Sequence, residues 1–289
     1  MFSSPRKRAT RSPFGRAAAC IFLLAGLPQG ALAASLPTVA ESLSWTDLAD
    51  LALASPVVLS AVVSRVDRVG RRDAPDVPQG HVRALVRADL SAALKAPALL
   101  PASAAWFWQG PAGQRGRPPF AKSAPVLVFA APLAGGGDPE TQPMRLTTAH
   151  GQQPWSAGAE AAVRDILSQA LQPGADGLMV TGVNDGFRTI GAIPGMSESQ
   201  FFLATQGGRP LTMVVRRAPA AEPVIAVATG DLVDRAAPVQ PRTLVWRGLA
   251  CGLPDRLPVR LADNADLSED YALARQSIGP CGRTVEPPR

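Results

Sequence analysis

The chain has 289 residues, 46% of them hydrophobic and only 5% aromatic, with a formal net charge of +6. Five of the 29 basic residues (Arg6, Lys7, Arg8, Arg11 and Arg16) and none of the 23 acidic ones fall in the first 33 positions, so the rest carries +1 and offers no global basic field for nucleic acid. Beyond position 33 no segment has 18 consecutive apolar residues, which argues against a spanning helix, and the roughly 256 residues there suffice for one large or two modest domains.

The N-terminus reads as a secretory export signal. A basic n-region precedes the apolar run Ala17–Leu27, which is shorter than the ~20 residues a spanning helix needs. Pro28-Gln29-Gly30 breaks the run, and Ala31-Leu32-Ala33 fits the small-x-small rule for cleavage before Ala34. Cys20 lacks the context of a lipoprotein box, and Lys7 separates Arg6 from Arg8, so neither a lipid anchor nor the twin-arginine route is expected. The expected location is periplasmic or secreted. Cys251 and Cys281 then remain, and an even pair in an oxidising compartment is most simply a disulfide. It would close a loop of about 30 residues and stabilise the fold by roughly 3–4 kcal/mol.

In chain order, Ser44 and Asp47 predict a capped helix that presents Leu48, Leu51 and Ala52 on one face and stops before Ser55-Pro56. Residues 56–69, rich in β-branched side chains, predict a long strand buried on both faces at first. Residues 70–80 read as a polar loop and 81–90 as a strand, with 91–95 able to curl into helix. Ala104-Ala105-Trp106-Phe107-Trp108 is a short aromatic strand, 109–119 a Gly/Pro-dense loop carrying Arg115 and Arg117, 125–131 a buried strand, 135–139 a turn and 144–148 a short strand. Five strands after one helix suit an OB-like barrel over 34–151.

The segments ADLAL-x-x-PVV-x-x-AVV (49–63) and KSAPVLVFA (122–130) resemble the pattern of netrin-like or tissue-inhibitor-like OB domains. That family's N-terminal cysteines are missing, so its inhibitory mechanism is not carried over. The chain after the signal also resembles exported proteobacterial proteins of uncharacterised activity, which implies a compartment and no chemistry.

Residues 152–155 read as a connector, and the domain boundary is placed here. Ser156 should cap a helix burying Val163, Ile166, Leu167, Ala170 and Leu171, stopped by Pro173-Gly174. Strands are expected at 177–183 and 186–190 about a turn at Asn184-Asp185, at 224–230, and at 243–250 carrying Trp246. A last helix should run from Asp266 to Gly279 with Leu267, Tyr271 and Leu273 buried. The strongest local signal is Glu198–Arg217, two apolar runs about Gly207-Gly208, which suit a type I′ hairpin. Gln206 opposite Arg209 would put Phe202, Ala204, Leu211, Met213 and Val215 on one face, and Glu198 opposite Arg217. Pro210 should make the turn end of the second hairpin strand an edge, with the Arg216 end pairing to 224–230. The second unit, 152–289, is thus an antiparallel, sandwich-like β domain closed by a disulfide, and the fold class is mostly β with a few helices (β-rich α+β).

Trp106 and Trp108 with Arg115 and Arg117 form the best binding candidate, because aromatics beside cations on an OB-like sheet stack bases or sugars. The competing reading makes at least two of the aromatics core residues, since an aromatic-poor chain must fill its cores somewhere. A hydrolase would have to assemble His150, Ser197 and Asp231 between the two domains. His81 and His150 read as loop or strand-end residues, Gly-x-Ser-x-Ser at 195–199 is not a nucleophile elbow, and Asp231 with Asp234 reads as a turn or cap. No metal, P-loop or dinucleotide pattern is present, and no cofactor is expected. The expected function is non-enzymatic binding of an envelope protein, peptide or glycan, without a nucleic-acid partner.

Overall fold

Ser44 closes a capping box at the start of α1 (Trp45–Ala54): its hydroxyl accepts from the Asp47 amide, and the Asp47 carboxylate accepts from the Ser44 amide. This computed structural model describes residues 43–134, 140–175, 177–229 and 236–288. The expected export signal at 1–33, the turn at 135–139 and Asp231 and Asp234 lie outside the described residues.

Five strands follow α1: β1 (Val57–Arg68), β2 (His81–Lys95), β3 (Ser103–Pro111), β4 (Pro125–Pro132) and β5 (Thr141–Leu146). Their order is β1-β2-β3-β5-β4, and pairing of β4 with β1 closes the ring. All neighbours are antiparallel except β3 with β5, an arrangement that forms the expected OB-like barrel. Ser91–Lys95 does not curl into helix. It extends β2, because Ala92, Ala93 and Lys95 pair with Ser60, Leu59 and Val58 of β1 across register shifts. Residues 152–154, expected as a connector, form β6 (Gln152–Pro154) against β4.

Alternation explains why β1 reads as apolar on both faces. Val57, Leu59, Ala61 and Val63 fill the barrel with Val86, Trp106, Trp108, Val128 and Met144. Val58 points the other way, with Leu127 and Phe129 of β4, into a second core. That core also takes Leu51 of α1, Val163 and Ile166 of α2 (Ala157–Ala170), and the inner face of a second sheet. Leu171, expected on the buried face of α2, ends the helix and is exposed.

The second sheet holds β7 (Val180–Ile190), β8 (Ser197–Thr205), β9 (Leu211–Arg217), β10 (Val224–Thr229) and β11 (Ala237–Pro238), in the order β11-β10-β9-β8-β7 and antiparallel throughout. Across the described residues strand (38%) outweighs helix (23%), so the fold is mostly β. Residues 42–289 form one compact unit. The boundary expected near 152 falls at the start of β6, and elements on both sides of it contribute to the second core.

Three local expectations are corrected. Asn184-Asp185 is not a turn: β7 is one strand with irregular register between Val183 and Asp185. In the β8–β9 hairpin, Glu198 pairs with Arg216, Phe201 with Met213 and Leu203 with Leu211, one residue away from the type I′ register. The turn is closed by Gly208 N–H donating to Thr205 O (3.0 Å), but it is also tied to the chain before β7: Gly207 N–H donates to Gly177 O (2.9 Å) and Gln206 N–H to Met179 O (2.8 Å), and only Gly208 of the two glycines takes a positive φ. The slip moves Phe201 and Leu203 to the same side as Leu211, Met213 and Val215, which all enter the second core. Burial of that set outweighs turn chemistry. β9 is also no edge, since Leu211–Arg216 pair with Thr229–Val224 of β10; the expected pairing at the Arg216 end is present.

Residues 243–250 form a helix rather than a strand. Thr243 caps α3 (Leu244–Gly252) by accepting from Trp246 N–H. Gly248 and Gly252 let α3 lie directly on the chain at 178–180: a side-chain carbon on either would fall 2.2 Å from a carbonyl oxygen, of Leu178 and Val180 respectively. After the short α4 (Val259–Ala262), α5 (Ala265–Ile278) is capped by Asn264, slightly earlier than a start at Asp266 suggests. It buries Leu267 and Tyr271 as expected, with Ala274 and Ile278, while Leu273 is half-buried. Cys251 and Cys281 are bonded, so the disulfide ties the chain after α5 to the end of α3.

Candidate functional site

Side chains on β3 alternate, and this sorts its three aromatics. Trp106 and Trp108 point into the barrel. Trp106 is 1% exposed and its indole N–H donates to Gln152 Oε1 at 2.7 Å, while Trp108 packs edge-on against Phe120 at 5.1 Å. Neither indole is offered to a ligand on the outside. Phe107 between them points outward and is 60% exposed.

Phe107 lies in a three-strand outer face. Leu85 is its direct partner on β2, and Asp67 of β1 lies beyond Leu85. One row away, Arg87 stands between Ala105 and Arg65; on the other side, Arg83 pairs with Gln109. Arg83 is held by Gln109 Oε1 (Nη2, 2.6 Å) and by Asp76 of the β1–β2 loop (Nη2, 2.6 Å), and the guanidinium holds the Asp76 carboxyl below the usual carboxylate range. The result is a small apolar platform, Leu85 and Phe107, with a guanidinium on either side.

Arg115 and Arg117 lie in the turn after β3 and are exposed. Arg115 and Gly116 take positive φ, and a side-chain carbon on Gly116 would lie 3.7 Å from the Arg68 guanidinium. This turn therefore shares one end of the barrel with the β1–β2 loop, where Ala112 N–H also donates to Gly80 O (2.8 Å). Among the described residues, Arg68, Arg71, Arg72, Arg87, Arg115 and Arg117 form no ion pair. Residues 65–122 hold ten Lys or Arg against four Asp, so a chain nearly neutral after the signal is strongly basic here. That regional imbalance, together with strand parity, is the sequence signal that points to Phe107, Arg83 and Arg87 rather than to the tryptophans.

His150 is exposed, and its backbone N–H donates to Thr148 Oγ1. Ser197 opens β8 and pairs with Ile190 and Arg217. No hydrogen bond among the described residues joins the two.

The buried carboxylates lie elsewhere. Asp270 of α5 is fully buried and accepts from Ser199 Oγ (2.5 Å), Arg188 Nη1 (2.8 Å) and Arg217 Nε (2.6 Å). Ser199 is equally buried, so this cluster clamps α5 to β7, β8 and β9 and offers no accessible nucleophile. Asp50 of α1 is held by Arg247 of α3 and Arg283. Burial pushes the Asp47 pKa up, but hydrogen bonds from Thr284 and Ser44 outweigh it and leave the carboxyl below its ordinary value. A concavity of about 760 Å³ along α5 is lined in part by Asp255, Tyr271 and Arg275. Asp255 is already paired with Arg275, and burial pushes the Tyr271 phenol up to about 12, so neither stands ready as a base.

No helix among the described residues is long and apolar enough to cross a membrane. The chain matches no protein-family model and no curated protein.

Proposed function

We propose that this is an exported, non-enzymatic binding protein of the bacterial envelope whose barrel holds an acidic oligosaccharide on the outer face of β2 and β3. The observation that carries this reading is Phe107, an exposed ring seated on Leu85 between Arg83 and Arg87. In OB barrels the β2–β3 face and the loop after β1 receive oligosaccharides or oligonucleotides. A flat apolar ring accepts the face of a sugar, and the Arg87 guanidinium, which forms no ion pair among the described residues, can donate to a carboxylate in two-point fashion, while the Arg83 fork is occupied by Asp76 and Gln109. The arginines at 68, 71, 72, 115 and 117, which form no ion pair among the described residues, extend the basic surface toward one end of the barrel. The N-terminal signal pattern and the disulfide support export, which favours envelope glycans over nucleic acids as the ligand.

The test is calorimetric titration with polyuronate and neutral oligosaccharides of equal length. The polyuronate should bind, the neutral chain should not, and Phe107→Ala should weaken binding by about 1–3 kcal/mol, the range for loss of one aromatic stacking partner, without lowering the melting temperature. Equal binding of neutral sugar, or unchanged affinity in Phe107→Ala, would overturn the reading.

A further inference from the structure

The second sheet ends in two neighbouring turns, one between β7 and β8 and the other between β9 and β10. Residues 189–197 (TIGAIPGMS) and 218–221 (APAA) contain no ionisable side chain. In the first turn Ile190 is 82% exposed and Ile193 56%, with Met196 also exposed. In the second, Pro219 and Ala220 are exposed, as is Val224 where β10 begins. A side-chain carbon on Gly195 would lie 3.4 Å from Pro219, so the turns form one continuous apolar tip. Charge flanks the tip closely: the Glu198–Arg216 pair and Arg217 stand at the strand ends, and Glu222 lies in the second turn after Ala221.

We propose that this tip inserts into the interfacial layer of a lipid bilayer. Two features favour lipid over a protein partner. Part of the backbone needs no outside partner: Pro194, Pro219 and Pro223 have no N–H, Gly191 donates to Met196 O (2.9 Å), Met196 to Ile193 O (3.0 Å) and Ala221 to Ala218 O (3.3 Å). Groups paired within a turn need no partner from their surroundings. The exposed apolar side chains are also flanked by charges of both signs, which suits the apolar-to-polar gradient of a membrane surface. The tip belongs to the second sheet and does not depend on the oligosaccharide reading.

The full chain carrying Cys20→Ser and Ile193→Cys, with Cys251–Cys281 left oxidised, can be labelled at position 193 with an environment-sensitive nitrobenzoxadiazole dye. Phosphatidylcholine vesicles, with and without phosphatidylglycerol, are then added. The emission should shift to the blue and strengthen, and Ile190→Asp should weaken vesicle affinity at least about tenfold, the effect expected when a buried aliphatic side chain is replaced by a charge. The same dye at Leu171→Cys serves as the control. Leu171 is exposed and close to Gly174, which abuts Arg209 beside the opposite turn of the sheet, so its emission should not change. No response at 193, an equal response at both positions, or a response at 193 on raising protein concentration without vesicles would each overturn the proposal, the last by showing self-association instead.

Discussion

The packing of α3 on the chain at 178–180 gives a prediction in which one substitution has opposite effects at two sites. Replacing an interior helical Gly by Ala raises helix propensity by about 0.8–1 kcal/mol. At Gly158, in the exposed first turn of α2, nothing lies within 4 Å of the added carbon, so Gly158→Ala should stabilise the protein by up to about 1 kcal/mol. At Gly248 the added carbon would lie 2.2 Å from Leu178 O and 2.9 Å from Leu178 C. Ordinary contact needs about 3.5 Å, so α3 must withdraw by about 1 Å and loosen Leu244 and Leu249 from the core. Overpacking against backbone, which cannot rotate away, belongs in the upper part of the ~1–3 kcal/mol range. The net effect of Gly248→Ala should be a loss of about 1–2 kcal/mol. Urea unfolding followed by far-ultraviolet circular dichroism, with the disulfide oxidised, measures both, and the melting temperatures should separate by roughly 4–10 °C. A Gly248→Ala protein as stable as the parent, at unchanged urea dependence, would refute the close-approach argument.

Other outcomes follow from the same contacts. Asp47→Ala removes both the capping box and the anchor for Thr284 and Val285, and should cost about 2–4 kcal/mol in chemical unfolding. Because the Asp47 pKa is lowered in the folded chain, its stabilisation is full well above the unfolded value of 3.8 and is lost as pH falls below it toward the folded value; an acid titration of Asp47→Asn should therefore be flatter than that of the parent in this range. Reduction of Cys251–Cys281, separated by 30 residues, should lower stability by about 3–4 kcal/mol in the same unfolding assay. Asp270→Ala leaves Arg188 and Arg217 without their buried partner and should cost about 3–5 kcal/mol.

The barrel was legible because its signals are local and agree with one another. Val57 to Val63 alternate cleanly, Ser44 and Asp47 mark a helix start, and the aromatic run falls on β3, between β2 and β5. Residues 243–250 misled because Leu244, Val245 and Trp246 favour a strand. The decisive features were Thr243 as a cap and the four-residue spacing of Gly248 and Gly252, whose meaning depends on what α3 lies against. The hairpin register failed for a related reason. Gly207-Gly208 suggests a self-contained turn, but only Gly208 N–H bonds within it, to Thr205 O, while Gln206 and Gly207 donate to Met179 and Gly177, distant in sequence. Along β3 the residue types do not announce their orientation: parity puts two tryptophans inside and leaves Phe107 outside. The Asp270 cluster joins β7, β8, β9 and α5, and no spacing along the chain announces it.

The account rests most heavily on the outer face of β2 and β3, and a residue-resolved amide chemical-shift titration with a polyuronate oligosaccharide tests it most directly. The largest shifts should fall at 83–89 and 105–109, with smaller ones at 68–72 and 115–117, and should disappear in Phe107→Ala. Shifts confined to the second sheet, or to the groove lined by Tyr271 and Arg275, would contradict it.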